Sequence, residues 1–328
     1  MNAAATRVFQ DKPAVREATP LLVGLVGPSG SGKTFSALRL ATGIQRVTGG
    51  DIYAIDTESR RMLHYADKFQ FRHLQFDAPF GSLDYLSAVE HCVKKGARVV
   101  IVDSMSHEHE GPGGVLEMHA QETERLSKAW GCSADKAQIA AWGEPKKQRR
   151  RMINSLLQLN ANFLFCFRAK EKIRVQGGGK PPIEQGFMPI AGEEFVYEMT
   201  MKCLLLPGSN GTPTWVSENP GERSMMKLPD QFVEIFTNKD TGEIVKRQLD
   251  EGIGQRLAQW SAGTVDAEGS AEALIKSYDD CESAEAYKQL EVKRNDLWPK
   301  LPKGDLKERL QLAARAAEKR VGGQGKLV

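Results

Sequence analysis

Short apolar runs alternate with amphipathic stretches between residues 21 and about 206. Apolar runs of about four to eight residues predict buried strands, and the apolar positions between them recur at helical spacing. The predicted strands cover residues 21–26, 52–55, 71–76, 99–102 and 163–167, and the predicted helices cover 33–48, 82–96, 114–130 and about 145–160. Strands that alternate with helices are typical of an α/β fold with a mostly parallel sheet between layers of helices.

The pattern changes near residue 195. Within residues 195–217, two apolar runs flank the turn-rich segment 207–211, which predicts a β-hairpin that extends or flanks the sheet. Residues 229–262 predict a short helix, a turn and a second helix that ends near Trp260. We take these segments as the end of a core domain that covers residues 20–262.

The remaining residues are predicted to lie outside the core. Residues 1–19 are mostly polar and predict an N-terminal arm. Residues 263–328 begin with a small, polar linker and continue with a stretch rich in Ala, Glu, Lys and Leu, which Pro299 and Pro302 interrupt. This region predicts about three short helices and a disordered tail.

The strongest chemical signal follows the first predicted strand. Residues 27–34, GPSGSGKT, match the phosphate-binding P-loop pattern G-x-x-x-x-G-K-[ST] at every fixed position. Glycines let successive backbone N–H groups point at phosphate oxygens, and the N-terminus of the following helix favours an anion. We therefore predict ATP and Mg²⁺ as cofactors, with ATP taken as the default because no N-K-x-D guanine signature follows. The predicted nucleotide-binding residues are Gly27, Ser29, Gly30, Ser31, Gly32, Lys33, Thr34, Phe35 and Arg168.

Acidic residues end two other predicted strands. Asp103 follows the apolar run 99–102, as in a Walker B motif, and we predict that it holds Mg²⁺ with Thr34. We expect its strand to lie beside the P-loop strand. The carboxylate that activates water has two candidate positions at strand ends: Glu58 after the run 52–55, and Glu108 or Glu110 in the loop after Asp103, which is otherwise expected to be solvated.

Cations gather at the carboxyl end of the last predicted core strand and in the helix before it. Arg168, Lys170 and Lys172 follow the strand and are candidates for stabilising the γ-phosphate charge, in this protomer or in a neighbour. A basic helix start and a Gly-rich basic loop predict contact with nucleic-acid phosphates. The candidate residues are Lys146, Lys147, Arg149, Arg150, Arg151, Lys172, Arg174 and Lys180.

Charge and cysteine content limit which kinds of binding site and which cellular compartment the sequence supports. The net charge of +3 is close to neutral, so nucleic-acid binding has to come from these local patches. Five scattered cysteines without a C-x-x-C pair favour a reducing cytoplasm and buried thiols at Cys166 and Cys203. The spacing of His107, His109 and His119 gives little support for a metal site. We expect neither a signal peptide nor a membrane span.

Four segments resemble, in order and spacing, the motifs of RecA-like P-loop ATPases: GPSGSGKT at 27–34, AIDTE at 54–58, VVIVDSMSHE at 99–108 and FLFCFRAKEK at 163–172. More narrowly, the chain resembles the phage-encoded, ATP-binding proteins of the Sak-type single-strand annealing and recombination group. The resemblance covers about residues 20–260. It implies a RecA-like core, in the host cytoplasm if the protein is phage-encoded, whereas the β-hairpin extension and the small C-terminal helical region rest on the residue patterns described above.

The resemblance also implies roles for individual residues. In RecA-like proteins the catalytic glutamate ends the strand that follows the P-loop helix, and Glu58 occupies that position. With Lys33 and Asp103 it forms the predicted catalytic set. The loop after the last core strand contacts DNA in that family, and residues 173–190 match it by place. Such proteins assemble as rings or filaments, so we expect a homo-oligomer.

These patterns lead to one expected function and two alternatives. We expect a Mg²⁺-ATP-dependent ATPase that binds single-stranded DNA in recombination or annealing, with a single-stranded-DNA-binding protein as a candidate partner of the C-terminal region. The first alternative is a nucleotide-switched ATPase that engages a protein through residues 130–151 and 270–320. The second is a small-molecule kinase, for which the sequence gives no clear lid or acceptor site.

Overall fold

Six parallel strands and one antiparallel strand form the sheet in the computed structural model, which describes residues 18–176, 181–238, 241–262, 267–298, 301 and 304–324. The strands are β1 (Leu22–Gly27), β2 (Asp51–Asp56), β3 (Arg72–Gln75), β4 (Ala97–Asp103), β5 (Asn162–Arg174), β6 (Ile183–Pro189) and β7 (Met201–Leu204). Their order is β3-β2-β4-β5-β1-β7, and every neighbouring pair on this path is parallel. The predicted parallel α/β fold is therefore confirmed.

The central strands are buried on both faces. Every residue of β1 is buried, and Val100 and Val102 of β4 pack in the same core as Phe163 and Phe165 of β5. Strands covered by helices on both sides need apolar residues at every position rather than at alternate ones. This requirement explains why the sequence showed continuous apolar runs. Cys166 and Cys203 are buried in these strands, as predicted.

The helices of this part are α1 (Lys33–Thr48), α2 (Ser82–Lys94), α3 (His107–Glu110), α4 (Val115–Trp130), α5 (Ala134–Ala141), α6 (Gly143–Leu156), α7 (Glu193–Tyr197), α8 (Pro220–Ser224) and α9 (Glu251–Ser261). Short 3₁₀ turns cover Arg61–Tyr65 and Asp230–Phe236. Helix α1 ends before Gly49, whose positive φ of 66° suits glycine. The four predicted helices are confirmed, whereas α5 was not predicted.

The β-hairpin is not where the sequence placed it. Residues 193–197 form helix α7, and β7 joins the edge of the parallel sheet beside β1; Thr214 makes only an isolated bridge to Leu204. Instead, β5 runs beyond the sheet and pairs with β6 as an antiparallel ribbon. The predicted basic loop 173–190 therefore consists largely of two strands. We call residues 168–176 and 181–189 the ribbon.

Three helices follow the core: α10 (Ala267–Asp279), α11 (Ala284–Leu297) and α12 (Asp305–Gln324). The Tyr278 hydroxyl donates to Glu291 at 2.7 Å, and the Ser283 side chain caps the start of α11. These helices bury an apolar cluster of their own, which includes Tyr278, Leu297, Leu310 and Ala314.

The chain divides into two compact units. Residues 20–258 form one unit, and residues from 259 onward belong to the other together with the segment that precedes residue 20. Most of the predicted N-terminal arm and the end of the predicted tail lie outside the described residues. The predicted domain limits at 19/20 and 262/263 stay predictions.

Within the described residues, no helix is both long and apolar enough to cross a membrane.

Candidate nucleotide-binding site

The P-loop connects the carboxyl end of β1 to the first turn of α1. Gly30 and Gly32 have φ angles of 77° and 92°, which glycine adopts readily and other residues rarely do. Gly27 lies so close to the carbonyl of Leu205 and the side chain of Ser31 that a Cβ would collide with them. The Ser31 hydroxyl is buried and has no hydrogen-bond partner among the described residues. The loop is thus a tight cradle with an unsatisfied polar group inside it.

Lys33 and Thr34 stand at the start of α1, where they face the cradle. The Lys33 ammonium donates to the carbonyls of Gly27 and Pro28, each at 2.8 Å. Burial lowers the pKa of Lys33. The Thr34 hydroxyl donates to Asp103 at 2.5 Å. A hydroxyl and a carboxylate side by side are hard oxygen ligands that fit Mg²⁺.

The strand order corrects one expectation. Asp103 ends β4, but β5 lies between β4 and β1, so the Walker B strand is not a neighbour of the P-loop strand. Helix α1 packs across β4 and β5 and carries Thr34 to the end of β4. The two residues therefore meet although their strands do not pair. Burial raises the pKa of Asp103 to about 6.

Glu58 lies in the turn after β2, and Asp56 shapes that turn. The buried Asp56 carboxylate accepts hydrogen bonds from the backbone N–H of Glu58 at 2.8 Å and of Met62 at 3.0 Å. In the pairing of β2 with β4, Asp56 lies opposite Asp103. The two residues after Glu58, Ser59 and Arg60, have φ angles of 57° and 66°. This geometry holds Glu58 beside Asp103 at the carboxyl edge of the sheet.

The alternative acidic residues divide between two environments. Glu108 is buried and accepts two hydrogen bonds from Arg149, at 3.1 and 2.8 Å, and one from Ser82. The expectation of a solvated loop is therefore wrong for Glu108, whose carboxylate is occupied by structural contacts. Glu110 stays partly exposed, 3.9 Å from Arg168. Glu58 is thus the better placed candidate.

Arg168 is the residue at which β5 passes the P-loop. It lies opposite Gly27 in the pairing of β1 with β5, and its backbone N–H donates to Ser106 at 2.8 Å. Its side chain is 46% exposed. One guanidinium nitrogen is 3.4 Å from Nε2 of His107, which is itself 3.9 Å from Glu58. Arg168 therefore faces the P-loop of its own chain.

A cavity of about 370 Å³ joins these groups. Its lining contains the predicted residues Ser29, Gly30, Gly32, Lys33, Thr34, Phe35, Glu58, Asp103 and Arg168, together with Arg61, His64 and Tyr65. The last three were not predicted from the sequence, although their position shortly after Glu58, at the end of a strand, was a usable signal. The rings of Phe35 and Tyr65 are 5.8 Å apart between centroids, at the rim of the P-loop.

The candidate nucleic-acid residues have different surroundings. Arg149 is buried between Glu108 and Glu194, so it is not a surface contact, and that prediction is wrong. Its place on α6 explains this, because it shares a helix face with the buried Met152 and Ile153. The exposed candidates are Lys146, Lys147, Arg150 and Arg151 on α6 and Lys172 and Arg174 on the ribbon. Lys180 lies outside the described residues.

The histidines considered for a metal site have other partners. His119 stacks on Trp142 with 4.0 Å between ring centroids, and His107 contacts Thr57 at 2.8 Å. His109 contacts Arg149 at 3.0 Å. In the part of the chain that is described, no group of three or more His, Cys, Asp or Glu side chains is arranged to hold a metal ion.

Comparison with known proteins identifies the family. The family model for the AAA domain matches residues 19–201. No curated protein matches the chain. The matched region covers more than half of the sequence and includes the P-loop, Glu58, Asp103 and Arg168. The chain therefore belongs to the AAA-domain family of P-loop ATPases.

Proposed function

We propose that this protein is a Mg²⁺-dependent ATP hydrolase that binds single-stranded DNA along the ribbon and acts in recombination or single-strand annealing. One observation carries the proposal: strand β5 passes the P-loop at Arg168 and continues, without interruption, into the cationic ribbon. The nucleotide site and the proposed DNA site share one strand. Occupation of either site can therefore alter the other.

The hydrolytic roles follow from the geometry of the cavity. Lys33 and the P-loop N–H groups bind the β- and γ-phosphates, and Thr34 and Asp103 hold Mg²⁺. When it is bound, Mg²⁺ neutralises charge on the phosphates. Glu58 accepts a proton from, or orients, the attacking water. Arg168 stabilises the negative charge that develops on the γ-phosphate.

The ribbon suits contact with a phosphate backbone. Residues 168, 170, 172 and 174 alternate along β5, and side chains at alternate positions share one face of a strand. All four are cations, and all are exposed. The opposite face carries the apolar side chains of Ile173 and Val175, which are 63% and 78% exposed. DNA binding of this kind weakens as salt concentration rises.

Assembly and partners extend the proposal. The motif order resembles that of Sak-type and other RecA-like proteins, and this resemblance supports a homo-oligomeric ring or filament. Lys170 and Lys172 are then candidates for contact with a neighbouring protomer. The C-terminal helices form a separate apolar cluster, which supports a role as an attachment point for a single-stranded-DNA-binding protein.

ATP hydrolysis with and without single-stranded DNA tests the proposal, on the wild type, Lys33→Ala and Glu58→Gln. We expect DNA to stimulate the wild type and the stimulation to fade at high salt. Both variants should lose hydrolysis, whereas Glu58→Gln should still bind ATP. Analysis of the products should find only ADP and free phosphate, because a small-molecule kinase would transfer the phosphoryl group to an acceptor.

Two outcomes would contradict the proposal of a DNA-binding ATP hydrolase. Hydrolysis that is indifferent to DNA, with no salt-dependent DNA binding, would favour the nucleotide-switched ATPase that engages a protein. Absence of hydrolysis in the wild type at every nucleotide and metal concentration would rule out the enzymatic proposal itself.

A further inference from the structure

His107 lies between the two charged groups that face the nucleotide cavity. Its Nε2 atom is 3.4 Å from the Arg168 guanidinium and 3.9 Å from the Glu58 carboxylate. Both charged groups line the cavity, whereas the imidazole stands behind them. A carboxylate and a guanidinium that meet directly attract each other and form strong paired hydrogen bonds.

The imidazole is fixed on two other sides. Its Nδ1 atom is 2.8 Å from the Thr57 hydroxyl, and its ring stacks on Phe80 with 5.0 Å between centroids and 28° between planes. Thr57 in turn exchanges hydrogen bonds with the backbone of Ser104, accepting from its N–H at 2.8 Å and donating to its carbonyl at 3.1 Å. The ring is thereby tied to the ends of both β2 and β4.

This network also assigns the tautomer. Because a guanidinium nitrogen can only donate, Nε2 of His107 accepts from Arg168, and the Nδ1–H then donates to the Thr57 oxygen. The lone pair on Nε2 offers Glu58 no donor. Burial lowers the pKa of His107, although the carboxylates of Glu58 and Glu110 act to raise it. The ring is therefore uncharged at neutral pH.

We propose that His107 is a positioning residue that keeps the Glu58 carboxylate and the Arg168 guanidinium apart, so that both stay directed at the terminal phosphate. The inference rests on the proposed ATP site. Glu58 Oε2 already lies 3.4 Å from Arg61, so a direct pair with Arg168 would also occupy Oε1, the oxygen that faces His107 and is left to accept a proton. It would also withdraw the guanidinium from the γ-phosphate.

Nucleotide affinity provides a test that does not depend on hydrolysis. Equilibrium binding of ATP and ADP, each with Mg²⁺, is measured on the wild type, His107→Ala, Glu58→Gln and the double variant. His107→Ala should lose about tenfold of its preference for ATP over ADP, because Arg168 then pairs with Glu58. The double variant should regain that preference, because a neutral glutamine does not capture the guanidinium.

Two further variants separate positioning from simple anchoring. His107→Gln can place an amide oxygen near the Nε2 position, facing Arg168, whereas His107→Asn reaches only Thr57. We expect kcat to fall about 10–100-fold in the Ala and Asn variants and to recover in part with Gln. Thermal unfolding monitors folding, and if His107→Ala does not fold, the Gln and Asn variants make the same comparison.

Several results would overturn the inference. One is an unchanged preference for ATP in His107→Ala; another is a double variant no better than His107→Ala. A third is an Asn variant as active as the Gln variant, since anchoring to Thr57 would then be the whole role. A wild type that binds ATP without hydrolysing it would refute the proposed function but leave the binding test decisive for His107.

Discussion

The two halves of strand β5 have opposite surroundings. Residues 162–167 are buried between β1 and β4, whereas residues 169–174 extend beyond β1 and β4, pair only with β6 and are mostly exposed. The first half is held by apolar packing, and the second carries charge into solvent. The change occurs at Arg168, beside the P-loop. The same covalent strand therefore serves first as core and then as a charged surface, and substitutions in the two settings should differ in kind.

The largest effect on the rate of hydrolysis is expected at Glu58, which lines the nucleotide cavity. Glu58→Gln should lower kcat by about 10²–10⁴-fold without loss of ATP binding, because the amide cannot accept the proton of the attacking water. Glu171→Gln on the exposed half of β5 is the matched control, and its DNA-independent hydrolysis should stay at the wild-type rate. Steady-state hydrolysis with ATP binding measured in parallel checks both. Equal losses in the two variants would show that a carboxylate on the exposed half of β5 matters for hydrolysis as much as Glu58 does.

A second large difference is expected between neighbours on α6. Arg149→Met leaves the buried Glu108 without its partner and should lower the free energy of unfolding by about 3–5 kcal/mol. Arg150→Met replaces an exposed cation and should change it by less than about 0.5 kcal/mol. Chemical denaturation of both variants measures the difference. Similar unfolding midpoints would show that the buried pair has little structural weight.

The contrast between Arg149 and Arg150 also shows which features of the structure could be predicted from the sequence. The P-loop, the strands and α1 were predictable because each depends on a local pattern. The burial of Arg149 was partly visible, since it lies three, four and seven residues before Met152, Ile153 and Leu156 on one helix face. Its partner Glu108 is 41 residues away, and only the fold brings the two together.

Two other errors have the same origin. The insertion of β5 between β1 and β4 is a property of the strand order of the whole sheet, which no local motif records. Residues 173–190 were predicted as a loop because their sequence contains the Gly-rich run 177–179. The alternation of cations at 168, 170, 172 and 174 with other residues was a strand signal. Glu222, which accepts the Phe187 N–H at 2.8 Å and holds β6 in place, lies too far along the chain to be inferred.

The buried carboxylate of Asp103, at the end of β4, should be needed for hydrolysis and at the same time lower the stability of the fold. Its pKa rises from 3.8 in the unfolded chain to about 6 in the folded one, so its ionisation opposes folding above pH 6. Asp103→Asn should therefore raise the free energy of unfolding of the nucleotide-free protein at pH 8 by about 1–3 kcal/mol, while it abolishes Mg²⁺-dependent hydrolysis.

The pH dependence fixes the sign of that prediction. The gain should be constant above about pH 7, shrink as pH falls through 6, and vanish near pH 4, where the carboxyl is protonated in both states. Thermal unfolding of both proteins across this range provides the measurement. The amide oxygen introduced by Asp103→Asn can still accept from Thr34, which removes loss of that hydrogen bond as an explanation. A variant less stable than the wild type at pH 8 would argue against costly burial of the charge.

The smallest expected effect concerns the exposed half of β5. Replacing Lys170, Lys172 and Arg174 with Ala removes three candidate phosphate contacts. It should weaken single-stranded DNA binding roughly tenfold at low salt and reduce the slope of log affinity against log salt by about 2.

The triple replacement Lys146→Ala, Lys147→Ala and Arg150→Ala on α6 is the control, because it removes the same charge from another exposed surface. If the ribbon is the binding surface, only the first set should also abolish DNA stimulation of hydrolysis, because only β5 reaches Arg168. If both sets act alike, the protein binds DNA through its general charge, and the link between the two halves of β5 has no role in recognition.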